Sequence, residues 1–392
     1  MLKIKLIKAR KILDSRKKPT IEVLIKINNF FVKASVPSGA STGKYEAKVI
    51  NSEQAIKNIH QVIVPKLVEK NSINQKEIDK FLIKNKLNLG ANATVGISMA
   101  ICRAAAKAKN LSLYRYISNI SGLKINIPKP SFNIINGGVH AKNNLDIQEF
   151  MIVPQFKNFF QNFKLAKKIY KKLGKIIKEK FKKIERGDEG GYSPPISKTN
   201  EALELIRQAS NNFQDIKIIL DCAASQFQKG NRYKIDGKFL TKKELIDFYQ
   251  ELILNYPIIG LEDSFGEEDF EGWRKLSSKF KVQNSKLLII GDDLTVTNSK
   301  RIKMIKKKDF CNSVIIKINQ IGTLSEAIEA IKLAKLYNWK VIISHRSGET
   351  LDNFIADFSV GVGADYIKSG APIQPERLAK YNRLLEIAIQ KC

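Results

Sequence analysis

Short apolar runs, each ended by a charged residue or a histidine, recur along the second half of the chain. Residues 216–220 run into Asp221, 256–261 into Glu262, 286–291 into Asp292, 340–344 into His345 and 365–367 into Lys368. Their isoleucine, leucine and valine content predicts buried strands. Another run, 313–324, carries Lys317 in its middle among Val314, Ile315, Ile316 and Ile318, and Gly322 stops it. A lysine in such a strand is costly unless its ammonium is paired or its pKa is lowered. An edge-strand lysine that snorkels to water is the plainer alternative. The polar residues from 221 to 368 follow one another at 41, 30, 25, 28 and 23 positions, the length of a strand–helix unit. Helical patterns at 242–254 and 324–337 fill the intervals. The pattern predicts a parallel β/α barrel with its site at the C-terminal strand ends. Three acids, two lysines and a histidine then share one mouth.

The first half reads differently. Residues 1–27 alternate as a hairpin turning at 14–20, and 52–118 read as helices. A small-residue helix suited to close packing opens at Gly90 and runs through Ala108. Proline and glycine punctuate 121–130, which suggests an N-terminal α+β domain over 1–125 and a barrel over 126–392. Residues 164–184 carry Leu165, Ile169, Leu173, Ile176, Ile177, Phe181 and Ile184 on one side. A barrel helix with a lysine-rich outer face explains them better than a membrane-surface helix. His60 reads as a surface-helix residue with no role. The loop at 37–45 falls short of a phosphate-binding P-loop, because three residues separate Gly39 from Gly43 and Tyr45 takes the hydroxyl position. It remains a hydroxyl-rich loop able to offer Ser41 Oγ to a metal. Gly137 and Gly138 before His140 suggest a second mobile loop, with Glu149 entering a strand beyond it. Acids stand between glycines at 187–191.

Composition adds little that is specific. The chain has 392 residues, 43% of them hydrophobic, and no apolar run nears the roughly 20 residues of a membrane span. Residues 1–10 are too charged for a signal peptide. Cys102, Cys222, Cys311 and Cys392 form no Cys-x-x-Cys pair, which suggests a reducing cytoplasm and no structural zinc. The net charge of +30 invites a nucleic-acid reading. Lysine is spread along the chain beside abundant Ile, Asn and Phe, as AT-rich coding would produce. No specific nucleic-acid partner is expected.

Taken in order, Ser38-Gly-Ala-Ser-Thr-Gly43, Gly137-Gly-Val-His140, Gln148-Glu-Phe150, Gly187-Asp-Glu-Gly-Gly-Tyr192 and Asp221-Cys-Ala-Ala-Ser225 are joined by Glu262-Asp263, Gly291-Asp-Asp-Leu294, Lys317-Ile-Asn-Gln-Ile-Gly322 and Ser344-His-Arg-Ser-Gly-Glu-Thr350. The chain resembles the enolases, the phosphopyruvate hydratases of glycolysis, across nearly its whole length. The resemblance implies an α/β fold, a modified β/α (TIM-like) barrel preceded by a small α+β domain. It implies reversible, Mg²⁺-dependent dehydration of 2-phosphoglycerate to phosphoenolpyruvate. Asp221, Glu262 and Asp292 match ligands of a first Mg²⁺, hard oxygens for a hard ion. Ser41 matches a ligand of a second, bound with substrate. Lys317 matches the base, whose pKa nearby cations would lower. Glu189 matches the acid, assisted by Glu149. His140, His345, Arg346, Ser347 and Lys368 match substrate contacts, Arg346 through a fork suited to phosphate. A cytoplasmic homodimer is implied.

Several positions depart from the family. Lys17-Lys18 replace Gly-Asn, Gln226 a Glu, Ser369 a Thr and Gln374 an Arg; 46–55 is shortened and the C-terminus is brief. None removes a matched catalytic residue. Family dimers pair an acid, here Glu22, with an arginine across the interface; Glu386 stands at that position. Two facing carboxylates would repel, and Arg383 is the nearest substitute.

Overall fold

A computed structural model describes residues 3–39, 43–68, 74–283 and 286–390. Ser41 and Cys392 lie outside the described residues. Strands β1 (Ile4–Leu13), β2 (Pro19–Ile27) and β3 (Phe30–Ser35) form an antiparallel meander. Ile21, Val23, Ile25 and Ile27 are buried at period two along β2. They face the helix Ala91–Ala108, whose small residues permit close approach: a Cβ on Gly96 would lie 2.9 Å from Val23 Cγ2. The β1–β2 turn keeps a tight form although Lys17 stands at φ 60°, because Asp14 Oδ1 accepts the Arg16 and Lys18 N–H groups, both at 2.8 Å. His60 has a structural task after all: its Nε2 accepts the Ala9 N–H of β1 at 3.1 Å.

Eight strands close into a barrel: β4 (Lys129–Asn136), β5 (Glu149–Pro154), β6 (Ile216–Asp221), β10 (Ile258–Glu262), β11 (Leu288–Gly291), β12 (Ser313–Ile316), β13 (Lys340–Ser344) and β14 (Tyr366–Lys368). Between β6 and β10 a small separate sheet holds β7 (Gln228–Lys229), β8 (Arg232–Ile235) and β9 (Lys238–Leu240). The barrel order is β10-β11-β12-β13-β14-β4-β5-β6, and β5 runs antiparallel to both its neighbours. The first units therefore depart from regular β/α alternation, as the resemblance implies. Met151, Val153, Ile219, Leu288, Ile290, Ile315 and Ile342 form their own packed core, the filled interior of a small barrel.

Two elements differ from the sequence reading. Strand β12 stops at Ile316, and Lys317 leads into a short helix, Ile318–Ile321, closed by Gly322 at φ 95°. The reason is local: the Lys317 N–H donates to Thr297 Oγ1 at 2.9 Å instead of to a neighbouring strand. The basic amphipathic helix spans Phe159–Phe181; Lys182 leaves it in the left-handed region, so Ile184 is exposed. Among the described residues no helix is long and apolar enough to cross a membrane.

The N-terminal helices grip the segment that follows Lys317. Thr94 Oγ1 donates to Gly322 O at 2.8 Å, Ser98 Oγ accepts the Leu324 N–H at 2.9 Å, and buried Asp79 accepts both donors of Ser325. Lys86 reaches Ile321 O and Glu326.

Candidate active site

Parallel pairing aligns the strand ends. Glu262 is level with Asp221, Asp221 with Glu149, and Ser344 with Lys368. Because β5 is antiparallel, its first residue, Glu149, reaches the same mouth as the last residues of its neighbours. His140, Glu149, Glu189, Asp221, Asp292, Lys317, His345, Arg346, Ser347 and Lys368 line one cavity there, and Glu262 joins them through Lys368. Every described residue singled out from the sequence is therefore brought together.

Lys368 Nζ stands among three carboxylates, 3.1 Å from Asp221 and Glu149 and 2.9 Å from Glu262. Burial works against its charge, yet these anions hold its pKa well above the ordinary value. One ammonium does not balance three carboxylates. Burial together with mutual repulsion accordingly pushes Glu149 and Glu262 up. Lys317 Nζ is bonded to Asp292 Oδ2. Burial is outweighed there as well: Asp292 is held below, and Lys317 above, its ordinary value. The lowering expected from the sequence depends on nearby cations; with Asp292 alone as its nearest charge, Lys317 is raised.

Glu189 lies on the glycine-rich loop 187–191. Tyr170 fixes that loop by donating to Gly190 O at 2.6 Å. A Cβ on Gly187 would lie 2.3 Å from His140 O, so this loop and the His140 loop approach at backbone distance. His140 Nδ1 is 3.6 Å from Glu149 and 3.8 Å from Glu189. Despite burial, His345 and His140 hold Glu189 well below the usual carboxylate range. The two carboxyls are thus pushed in opposite directions, Glu149 up and Glu189 down.

Among the described residues, two groups of side chains have the spacing to hold a metal ion: His140, Glu149 and Glu189; and Asp263, Asp292 and Asp293, each within 4.8 Å. Asp263 already accepts the Asp292 and Asp293 N–H groups, at 3.0 and 2.8 Å, so it anchors the turn after β11. Asp221, Glu262 and Asp292 do not form such a cluster by themselves: an ammonium stands against each of them. The donor set nonetheless fits a hard divalent ion, since it is all carboxylate oxygen and carries more negative charge than its lysines neutralise.

Some neighbours had no signal in the sequence. Glu46 takes the fork of Arg346, at 3.0 Å from Nη1 and 3.2 Å from Nη2. A carboxylate soon after a glycine loop was visible; its partner 300 positions away was not. Arg377 donates to His345 Nδ1 and to the carbonyls of Arg346 and Ser347. Gln226, a departure from the family, donates to Gln148 Oε1 at 2.7 Å, and Gln148 reaches Asp221 at 3.4 Å.

Known proteins agree with this geometry. Residues 4–117 match the family described as "Enolase, N-terminal domain", and 124–390 match "Enolase, C-terminal TIM barrel domain". The chain is 44% identical over 407 aligned positions to the protein named Enolase in Methanothrix thermoacetophila, covering 98% of this chain and 96% of that one. With the barrel, the charged mouth and both halves of the sequence in agreement, the chain belongs to the enolase family.

Proposed function

We propose that this chain is an enolase, a hydro-lyase that interconverts 2-phosphoglycerate and phosphoenolpyruvate in glycolysis and gluconeogenesis. The observation that carries the reading is the placement of Lys317 against Glu149. Strands β12 and β5 lie four apart in a ring of eight. A lysine on one side and the Glu149–Glu189 carboxyl pair on the other thus face each other across the mouth, an arrangement suited to taking an α-proton from one face and protonating a leaving hydroxyl on the other. Asp221, Glu262 and Asp292 would hold one Mg²⁺, and Ser41 with the substrate would hold a second. Bound there, Mg²⁺ supplies positive charge to the substrate carboxylate as the α-proton leaves.

The chain's own residues do the rest. A cation held by Asp292 would take over that carboxylate's charge, and Lys317 without its counter-ion would be the better base. Lys317 Nζ takes the α-proton. Glu189, assisted by Glu149, protonates the departing hydroxyl. Arg346 exchanges Glu46 for the phosphate, which fits the same planar fork. His140, His345, Ser347 and Lys368 complete the substrate contacts. Residues 1–125 form the domain that caps the 126–392 barrel, and the protein is a cytoplasmic homodimer. Buried thiols at Cys102, Cys222 and Cys311 suit that compartment.

The test is the rise in ultraviolet absorbance as purified protein acts on 2-phosphoglycerate with Mg²⁺. EDTA should abolish the rise, and Lys317→Ala should lower it by about a thousandfold, the middle of the range usual for loss of a general base. Folded protein that gives no rise with Mg²⁺ would turn attention to a relative acting on another carboxylate.

A further inference from the structure

Thr297 is buried and has φ 57°, and Val296 before it has φ 42°. Two β-branched residues in succession in the left-handed region are strained, and such strain persists where a specific arrangement is held. What it holds here is a closed ring. The Lys317 backbone N–H donates to Thr297 Oγ1 at 2.9 Å. The Thr297 hydroxyl donates to Gln320 Oε1 at 2.8 Å. Gln320 Nε2 donates to Asp292 Oδ1 at 2.9 Å, and Asp292 Oδ2 is paired with Lys317 Nζ.

The direction of this ring is not arbitrary. A backbone N–H can only donate, so the Thr297 oxygen must accept there and spend its own proton elsewhere. The Asp292 carboxylate can only accept, so the NH₂ end of the Gln320 amide faces it. The amide oxygen is left for the Thr297 proton. A neutral donor thus occupies one Asp292 oxygen and sets the carboxylate plane, and the other oxygen remains for a cation. Gln320 is fully buried, so water does not compete for either bond.

We propose that Thr297 and Gln320 are positioning residues that act as one unit: they orient Asp292 for its metal ion and tie that orientation to the backbone of Lys317. The proposal rests on the enolase reading for the identity of the metal. Neither residue lines the cavity at the mouth. Outer-shell partners of this kind shift metal affinity by roughly 10- to 100-fold when removed.

The experiment is binding of Mn²⁺ alone to the full chain, followed by electron paramagnetic resonance, with circular dichroism as the check on folding. Thr297→Val and Gln320→Met should each weaken Mn²⁺ binding about tenfold. Thr297→Ser, which keeps the hydroxyl, should bind far more tightly than Thr297→Val. The Thr297→Val/Gln320→Met double variant should be no worse than the poorer single, because the ring is already broken. Should Gln320→Met fail to fold, Gln320→Asn keeps the amide but is too short to span both partners, and the same loss is expected. Wild-type affinity in folded single variants would overturn the proposal, and so would losses that multiply in the double. Wild-type protein that binds Mn²⁺ but leaves 2-phosphoglycerate unchanged would overturn the enolase reading instead.

Discussion

His345 is held where it has room for one proton only. Arg377 can only donate, so the Nδ1 it contacts carries no hydrogen. The ring proton is therefore on Nε2, 3.1 Å from Glu189 Oε2. A second proton would have to enter between Nδ1 and a guanidinium. Burial, reinforced by Arg377, accordingly lowers the His345 pKa from 6.5 to about 4 despite the pull of Glu189. Unfolded, the imidazole is protonated near 6.5; folded, near 4. Between these values the unfolded state binds more protons. This site's contribution to stability is thus intact above pH 6.5 and falls as pH drops toward 4, by up to about 3 kcal/mol. The chain has three histidines, so a histidine long-range ¹H–¹⁵N spectrum of metal-free protein is simple to follow. One neutral Nε2–H ring should persist from pH 7 to pH 5. If all three rings titrated near 6.5, the Arg377 contact would not exist in solution.

At the scale of elements, strand ends were the legible part of the sequence. Buried parallel strands are short and apolar, so the first polar residue after each run marks the barrel mouth. Asp221, Glu262, Asp292, His345 and Lys368 were readable for that reason. The end of β12 was not, because a side chain, Thr297 Oγ1, replaces a strand partner, and no local pattern shows that. Gln320 stood inside a recognisable motif, but burial of one amide has no periodic signature. The Glu46–Arg346 pair joins elements 300 positions apart, and its consequence is functional. Glu46 occupies the fork that, on the proposed function, would take the phosphate, so the segment after Gly43 would have to release Arg346 before substrate is held. Glu46→Gln removes the competing charge. Its KM for 2-phosphoglycerate should fall by about threefold to tenfold, within the 1.5 kcal/mol or so of a charge-assisted hydrogen bond. An unchanged KM would mean that the pair opens freely before substrate arrives.

For the whole molecule, a net charge of +30 makes self-association a problem of local complementarity. The sequence pointed to repulsion between Glu22 and Glu386 of the partner subunit, but each acid already has cations or an arginine beside it. Burial opposes the charge of Glu22, yet Arg10 and Ser35 hold its pKa below the usual value. Arg10 is 2.6 Å away and Lys33 3.6 Å, so this patch carries one net positive charge. Arg383 is shared between Asp357, at 2.8 Å, and Glu386, at 2.9 Å. That patch carries one net negative charge. In the proposed homodimer the two patches would face each other across a two-fold axis and attract. Sedimentation at micromolar concentration should therefore show a dimer. Arg10→Ala leaves Glu22 with Lys33 alone, cancels the net positive charge of its patch, and should raise the dissociation constant by about threefold to tenfold, in keeping with roughly 1 kcal/mol for an exposed pair. Glu386→Gln, which cancels the opposing negative charge, should weaken the dimer by a similar factor. A wild-type monomer at that concentration would defeat the argument at its root. A dimer indifferent to both substitutions would mean that these two patches do not meet.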